Sequence, residues 1–235
     1  MNISSLTMSR NDLDMVLLGL SVNELNLLKF VLTQSTLESA IIDIDVKAYA
    51  RDYGLSVSTA YFTLGNAAKS LFERKLSYYD NQSKAVSTLI LGWSGSPDSY
   101  RLSLNLSEIL FNSLQALDPT ELITMLNDFS NPPLSLMRRA YSAKLYLMIT
   151  DLYEGDAVVI SYSALRESLG IRGESYLLTH NFKRRVLNPS IADINKLSLI
   201  DVSYTDITDG RKITDFKFII TPKKAIKSKP QHHAV

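Results

Sequence analysis

Three adjacent cations, Lys183, Arg184 and Arg185, stand inside a stretch whose apolar residues are spaced as on one face of a helix. The stretch reads FKRRVLNPSIADINK, residues 182–196, and Pro189 follows four positions after the last cation. Arginine can donate two parallel hydrogen bonds to guanine O6 and N7, and either cation type can neutralise a phosphate. These residues therefore indicate contact with nucleic acid, whereas a solvated helix face is the simpler alternative for any run of charge.

A helical wheel divides this segment into two faces. Leu178, Phe182 and Val186 mark an apolar face that we expect to be buried. The opposite face carries Tyr176, His180 and Arg184 at every fourth position. Their aromatic ring, imidazole and guanidinium suit contact with base edges. With the flanking cations and two basic residues after Asp209-Gly210, the candidate DNA-binding residues are Tyr176, His180, Asn181, Lys183, Arg184, Arg185, Arg211 and Lys212.

The cations belong to a predicted long helix over residues 173–196. Pro189 lacks the N–H that would pair with the Arg185 carbonyl, so we expect a kink there. The bend would return Ile191 and Ile194 to the core after a half that faces DNA.

The elements around this helix predict a winged helix–turn–helix. Before it come a helix near 136–153, the strand VVISY and a short helix ended by Gly170; after it come two strands around Asp209-Gly210, a strong hairpin signal. In this fold the second helix fits the major groove and the hairpin wing lies along the neighbouring backbone. The basic Arg211-Lys212 at the wing tip agrees with that arrangement.

The first half shows the same order of elements. A capped helix at 21–34, the strand candidate 41–45, a short helix ended by Gly54, a helix from about 56 and several strands follow one another. AYARDYGLSVSTAY (48–61) and SALRESLGIRGESY (163–176) are alike, at an offset of roughly 115 positions that suggests an internal repeat. Chance likeness between two helix–turn–helix units is the alternative, because glycine often follows a helix.

The expected fold class is α+β, with two tandem winged-helix domains whose wings are small antiparallel hairpins. SNPPLS breaks the chain, because paired prolines cannot continue a helix. The predicted division is an N-terminal domain over 1–129, a linker over 130–135, a C-terminal domain over 136–222 and a basic flexible tail over 223–235.

Charge is divided unevenly between these halves. From Arg138 onward there are 16 basic and 10 acidic residues, and the preceding part has 9 basic and 14 acidic residues. A balance of +6 against −5 favours a nucleic-acid surface on the second half alone; a solvated basic tail is the alternative. The polar face of the second helix in the first half, with Thr59, Thr63, Asn66 and Ser70, makes a poor phosphate clamp, and the strands over 76–104 suit protein–protein pairing.

The composition excludes some classes of protein. With zero cysteines there is no disulfide framework and no thiolate zinc site, which fits a reducing cytoplasm. We see no membrane-spanning run and no secretory signal. A nicking enzyme of the rolling-circle type would need a His-x-His metal pair on a strand, but the histidines are His180 and the tail pair His232-His233. We therefore expect no catalytic residue, no metal and no cofactor.

Residues 160–222 resemble the C-terminal winged helix of the iteron-binding plasmid replication initiators, the Rep initiator family. The resemblance rests on Phe182-Lys-Arg-Arg-Val-Leu187, Pro189-Ser-Ile-Ala-Asp-Ile-Asn195, Arg211-Lys212 and Phe216-Lys-Phe-Ile219. A weaker likeness in layout extends over roughly 20–222, although the first residues do not clearly extend the first helix.

The resemblance implies a function as well as a fold. It implies a bacterial protein that binds directly repeated origin sites as a monomer, starts DNA replication and recruits the host replication initiator and helicase. It also implies a homodimer, formed through the N-terminal domain, that binds an inverted repeat and represses its own gene. In the monomer, the resemblance implies that the N-terminal domain makes accessory contacts with the adjacent DNA phosphates. A winged-helix repressor without an initiator role is the alternative, and only the DNA targets separate the two.

Overall fold

The computed structural model describes residues 7–34, 38–80, 83–96, 98–137, 139–155 and 157–223. The helices are α1 (Arg10–Leu18), α2 (Val22–Gln34), α3 (Val46–Asp52), α4 (Val57–Glu73), α5 (Glu108–Gln115), α6 (Pro119–Ser130), α7 (Ala140–Asp151), α8 (Tyr162–Ser168), α9 (Thr179–Phe182) and α10 (Asn188–Leu197). The strands are β1 (Ile41–Asp45), β2 (Lys75–Asp80), β3 (Ser83–Thr88), β4 (Ile90–Ser96), β5 (Arg101–Leu106), β6 (Ala157–Ser161), β7 (Ile200–Asp209) and β8 (Lys212–Pro222). Among the described helices, none is long and apolar enough to cross a membrane.

The two halves share one topology. Each contains a helix, a strand, two helical segments and two further strands in the same order. The last strand is central in both three-stranded antiparallel sheets: β5 lies between β1 and β4, and β8 lies between β6 and β7. This arrangement confirms the predicted fold class of two tandem winged helices. The first half differs by an additional hairpin, β2–β3, placed between α4 and β4.

The short helix of each half ends in the same way. Gly54 after α3 has φ +63°, and Gly170 after α8 has φ +66°. The N–H of the next residue then reaches back over the turn, from Leu55 to the Ala50 carbonyl and from Ile171 to the Arg166 carbonyl, at 2.8 Å in both cases. Only glycine adopts this left-handed conformation easily, so the two glycines set the same turn between paired helices.

An ion pair between a buried glutamate of α2 and the partly exposed arginine that follows α4 joins these two helices. The Ser21 N–H donates to Glu24 Oε2 at 2.7 Å, as the capping box predicts. Arg74, after α4, donates from Nε and Nη2 to the same carboxylate at 2.6 and 2.7 Å. Burial alone would raise the pKa of the Glu24 carboxyl, but the hydrogen bonds from Arg74 and Ser21 hold that pKa below its ordinary value. Arg74 is therefore engaged within the fold.

Helix α1 was not predicted, and it contacts both halves. Its Arg10 donates to Glu121 of α6 at 2.6 Å, and its Asp14 accepts from Lys144 of α7 at 2.6 Å. Asn11 donates to the Glu167 carbonyl at the end of α8, at 2.8 Å. The helix therefore joins the first half to the two helices that support the second winged helix.

Lys223 is part of the second half. Its backbone N–H donates to the Leu199 carbonyl at 2.9 Å, and its ammonium donates to the carbonyls of Asn195 and Ser198. The Lys223 side chain, which follows β8, thus satisfies carbonyls at the C-terminal end of α10 that the last turn leaves free. The remainder of the predicted tail, with Lys224, Lys227, Lys229 and the histidine pair, lies outside the described residues.

Candidate nucleic-acid interface

An aromatic cluster fixes the orientation of the cation-bearing helix. Phe182 and Phe216 are fully buried, with ring centroids 6.1 Å apart. Tyr162 of α8 packs edge-on against Phe182 at 5.2 Å, and Tyr204 of β7 packs edge-on against Phe216 at 5.6 Å. Val186 is buried on the same face of the helix as Phe182. The cations between these two residues, Lys183, Arg184 and Arg185, must therefore point away from the core.

The cation-bearing helix is continuous from residue 179 to 197, and we call it the recognition helix. Between α9 and α10 it contains a π-helical segment, Lys183–Leu187, in which the Asn188 N–H bonds to the Lys183 carbonyl. Pro189 stands at the start of α10, directly after this segment. In a regular α-helix the ring of Pro189 would clash with the Arg185 carbonyl, and the π turn shifts that carbonyl. The irregularity is therefore the π-helical segment before Pro189, and the helix continues beyond the proline. Ile191 and Ile194 are buried, as expected.

The predicted start of this helix, near residue 173, is wrong. Gly173 and Tyr176 have positive φ angles, +60° and +55°, which a right-handed helix does not allow. The Arg166 guanidinium donates to the carbonyls of Gly173 and Ser175 at 2.8 and 2.7 Å. The Tyr162 hydroxyl donates to the Tyr176 carbonyl at 2.6 Å. Side chains of α8 thus capture the carbonyls of this turn.

Two residues are displaced by that turn. Tyr176 is half-buried and precedes the helix, so its expected place on the outward helical face is wrong. Leu178 was expected on the buried face, but 69% of its surface is exposed. Leu178 is the N-cap residue, with an extended backbone, and helical periodicity does not apply to its side chain.

The remaining candidates on the helix lie where the wheel predicts. His180, Arg184 and Arg185 are exposed, and Asn181 is half-buried and accepts a long hydrogen bond of 3.5 Å from Arg184. A groove of about 360 Å³ runs between the recognition helix and the wing. It is lined by His180, Lys183, Arg184, Asn188 and Ile213. The groove brings three of the predicted residues together with the second strand of the wing.

Lys183 has a partner that the sequence did not reveal. Its ammonium lies 2.6 Å from Asp206 Oδ2 on β7 and 5.4 Å from the centre of the Tyr204 ring. The hydrogen bond to Asp206 raises the pKa of the lysine. The Tyr204 hydroxyl also donates to Asn188 Oδ1 at 2.7 Å. Two side-chain bridges therefore connect the recognition helix to the wing.

The wing tip is placed as predicted. Asp209 pairs with Lys212, and Gly210, with φ +59°, occupies the first position of the two-residue turn. Arg211 and Lys212 are both exposed there. The register shifts after Ile207, so the tip carries a bulge that increases the local twist.

Sequence reasoning missed the residues that position this site rather than form its surface. These are Tyr162, Arg166, Asn188, Tyr204 and Asp206. The only sequence signal for Tyr204 and Asp206 is that they stand two positions apart on β7 and so lie on the same face of that strand. This pattern does not show that the face packs against the recognition helix. Among the described residues no group of three or more His, Cys, Asp or Glu side chains could hold a metal ion.

The surface of the first half has a different character. On α4, Thr59, Asn66 and Lys69 are exposed, and Arg74, which follows the helix, pairs with Glu24. The strands of this half expose large apolar side chains instead. These are Ile41, Val86, Leu91 and Trp93.

The solved structures that this chain resembles include replication proteins. The Pi initiator protein in complex with iteron DNA is 23% identical, with a TM-score of 0.45 over 92% of this chain and 96% of that chain. The WH1 domain of MSBI1.176, a replication protein isolated from a multiple sclerosis patient, is 18% identical, with a TM-score of 0.39 over 47% and 86%. Domains 2 and 3 of RctB are 13% identical, with a TM-score of 0.38 over 91% and 82%.

Among curated proteins there is no match. Residues 161–220 match the family model described as initiator Rep protein, WH2. The matched segment contains α8, the recognition helix and nearly all of the wing, and the last two form the groove and the basic tip. Through residues 161–220, the chain is thus similar to the second winged-helix domain of the initiator Rep proteins.

Proposed function

We propose that this chain is a plasmid replication initiator that binds directly repeated DNA sites, or iterons, through its second winged helix. One observation carries the proposal: the exposed cations of the recognition helix and of the wing tip belong to the segment that matches the initiator Rep family. The helix would enter the major groove with Arg184 toward base edges, and Lys183, Arg185, Arg211 and Lys212 would contact phosphates.

The first half would have a different role in this function. We place the domains at 1–129 and 136–222, with 130–135 between them. The apolar side chains exposed on the first-half strands support a homodimer formed through this domain. Its acidic balance makes it a poor primary phosphate clamp, so in the monomer it would add only accessory contacts with the DNA backbone. The dimer would bind an inverted repeat and repress the gene of the protein, and the monomer would bind iterons. Recruitment of a host initiator and helicase follows from the family resemblance alone.

Footprinting of the full chain on the DNA that flanks its gene tests the proposal. We expect protection of several directly repeated sites and, separately, of one inverted repeat. The mass of the protein should correspond to a dimer in free solution and on the inverted repeat, and to one chain per repeat on the iterons.

Two results would contradict the proposal in different ways. Protection of a single palindrome without direct repeats would indicate a repressor with no initiator role. Cleavage of supercoiled origin DNA in the presence of Mg²⁺ would indicate a nicking enzyme.

Lys183→Ala should weaken binding to all DNA sequences alike. Each phosphate contact contributes about 0.9 to the slope of log K against log salt, so the slope should fall by about one unit. Binding titrations at several salt concentrations, with specific and unrelated duplexes, measure this slope.

Asp206→Asn is the matched control, because it removes the carboxylate that holds Lys183 at 2.6 Å and leaves the lysine in place. We expect this variant to bind at least as tightly as the native chain, because the ammonium no longer has to leave a carboxylate. If the slope is unchanged in Lys183→Ala, the lysine serves the bridge to Asp206 and does not contact phosphate.

A further inference from the structure

Two adjacent leucines are exposed directly before the recognition helix. Leu177 and Leu178 have 56% and 69% of their surface exposed. Leu178 is the N-cap residue, and its helix has no side-chain cap. The preceding helix α8 is capped by Ser161, whose hydroxyl accepts from the Ala164 N–H. Leucine is among the poorest N-cap residues, so neither burial nor helix capping accounts for Leu178.

The exposure of these leucines is imposed by the surrounding structure. The Tyr162 hydroxyl lies 2.6 Å from the Tyr176 carbonyl oxygen and 3.2 Å from that of Leu177. Tyr176 itself is held at φ +55°, which is unfavourable for a residue with a side chain. A conformation of this kind persists only where neighbouring contacts fix it, and such positions concentrate at functional sites.

The position of the leucines relative to the cations suggests what they contact. His180 and Arg184, which line the groove beside the wing, follow them within the next two turns. In helix–turn–helix proteins the N-terminal residues of the recognition helix contact base edges in the major groove. The apolar group that a base pair presents in that groove is the C5 methyl of thymine.

We propose that Leu178, with Leu177 beside it, recognises thymine by packing against C5 methyl groups at the edge of each DNA site. This inference rests on the proposed function, since it requires that the second winged helix binds DNA. It adds an apolar element of specificity beside the exposed polar and charged side chains His180, Arg184 and Arg185 of the recognition helix.

Replacement of single thymines by deoxyuridine tests the inference, because it removes the methyl group and keeps every hydrogen-bonding group. In the site defined by footprinting, we expect the native chain to lose about fourfold in affinity per methyl group at one or two thymine positions. Leu178→Ala should show a similar loss on the thymine site and should no longer distinguish uracil from thymine at one of those positions.

Two further variants separate base recognition from stability. Leu178→Asn supplies a favourable N-cap, so it should be at least as stable as the native chain and should still lose discrimination against uracil. Leu199→Ala changes a leucine that is 84% exposed elsewhere in the same domain, and it should keep the native discrimination.

The inference is overturned if the native chain binds every uracil-containing site as tightly as the thymine site. It is also overturned if Leu178→Ala and Leu178→Asn retain the full native loss on uracil substitution. If the native chain shows no sequence-specific DNA binding at all, the proposed function itself is contradicted, and the two failures are thereby distinguished.

Discussion

Arg74→Ala should lower the free energy of unfolding by about 3–5 kcal/mol, because it leaves the Glu24 carboxylate buried without a cation. The Glu24 side chain has 0% exposure and receives both hydrogen bonds of the Arg74 guanidinium. The variant can reduce this cost only by taking up a proton. Protonation of a glutamate of ordinary pKa at pH 7 costs about 4 kcal/mol. This cost agrees with the loss of unfolding free energy that we expect for Arg74→Ala.

The loss should depend on pH in a defined direction. The pKa of Glu24 is lowered in the folded protein, so the pair stabilises the fold above the unfolded pKa of about 4.3. That contribution disappears as the pH falls through the lowered pKa. In Arg74→Ala the remaining burial favours the neutral carboxyl. The difference between the two proteins should therefore shrink as the pH falls toward 4.

Urea unfolding at pH 7 and at pH 4 measures both effects. Arg51→Ala is the control, because Arg51 belongs to the same half, has a side chain 77% exposed and lies 3.5 Å from Asp52. We expect that surface change to cost less than about 1 kcal/mol. A loss for Arg74→Ala as small as the control, or one that does not vary with pH, would show that Glu24 does not depend on its cation.

Elements with local signals could be predicted from the sequence. Ser21 and Glu24 form the capping box that marks the start of α2, and Gly54 and Gly170 end their helices in the left-handed conformation. The turn at Gly210 was equally clear, because a two-residue turn depends on the residues within it. In each case the determining contacts lie within a few positions along the chain.

Elements that depend on distant residues could not be predicted in this way. The start of the recognition helix is set by Arg166 and Tyr162, which capture carbonyls from a neighbouring helix. Helix α1 has a Ser9 cap and an apolar Leu13, but its place comes from contacts with α6 and α7. The sequence contains these residues without indicating which of them meet.

The candidate site shows the same distinction. The periodicity of the helix placed His180, Arg184 and Arg185 on its exposed side, because buried Phe182 and Val186 fix the rotation. The pairing of Lys183 with Asp206 required knowledge of how β7 lies against the helix. Surface residues within the regular helix were therefore predictable, whereas Tyr176 and Leu178 before it and the residues that position the site were not.

Arg184→Ala should cost about 1–3 kcal/mol in binding to the specific site and should relax the preference for one base pair. Arg184 is exposed on the groove between helix and wing, and its only hydrogen bond among the described residues is the 3.5 Å contact to Asn181. Its guanidinium is therefore free to turn toward a base edge. Selection of binding sites from a randomised duplex library measures the change at each position.

Arg185→Ala is the matched control for charge, because Arg185 is the exposed neighbour that we assign to a phosphate. It should weaken binding to all sequences alike and reduce the salt slope by about one unit, with the selected sequence unchanged. If both variants select the native sequence, Arg184 contacts the backbone and does not read a base.

Arg184→Lys separates the two roles within one residue. Lysine keeps the positive charge but lacks the planar pair of donors that matches guanine O6 and N7. If Arg184 reads guanine, this variant should keep the native salt slope and lose preference at one base pair, as the alanine variant does. If Arg184 binds phosphate, the lysine variant should keep the native sequence preference and most of the native affinity, because a lysine ammonium also neutralises a phosphate.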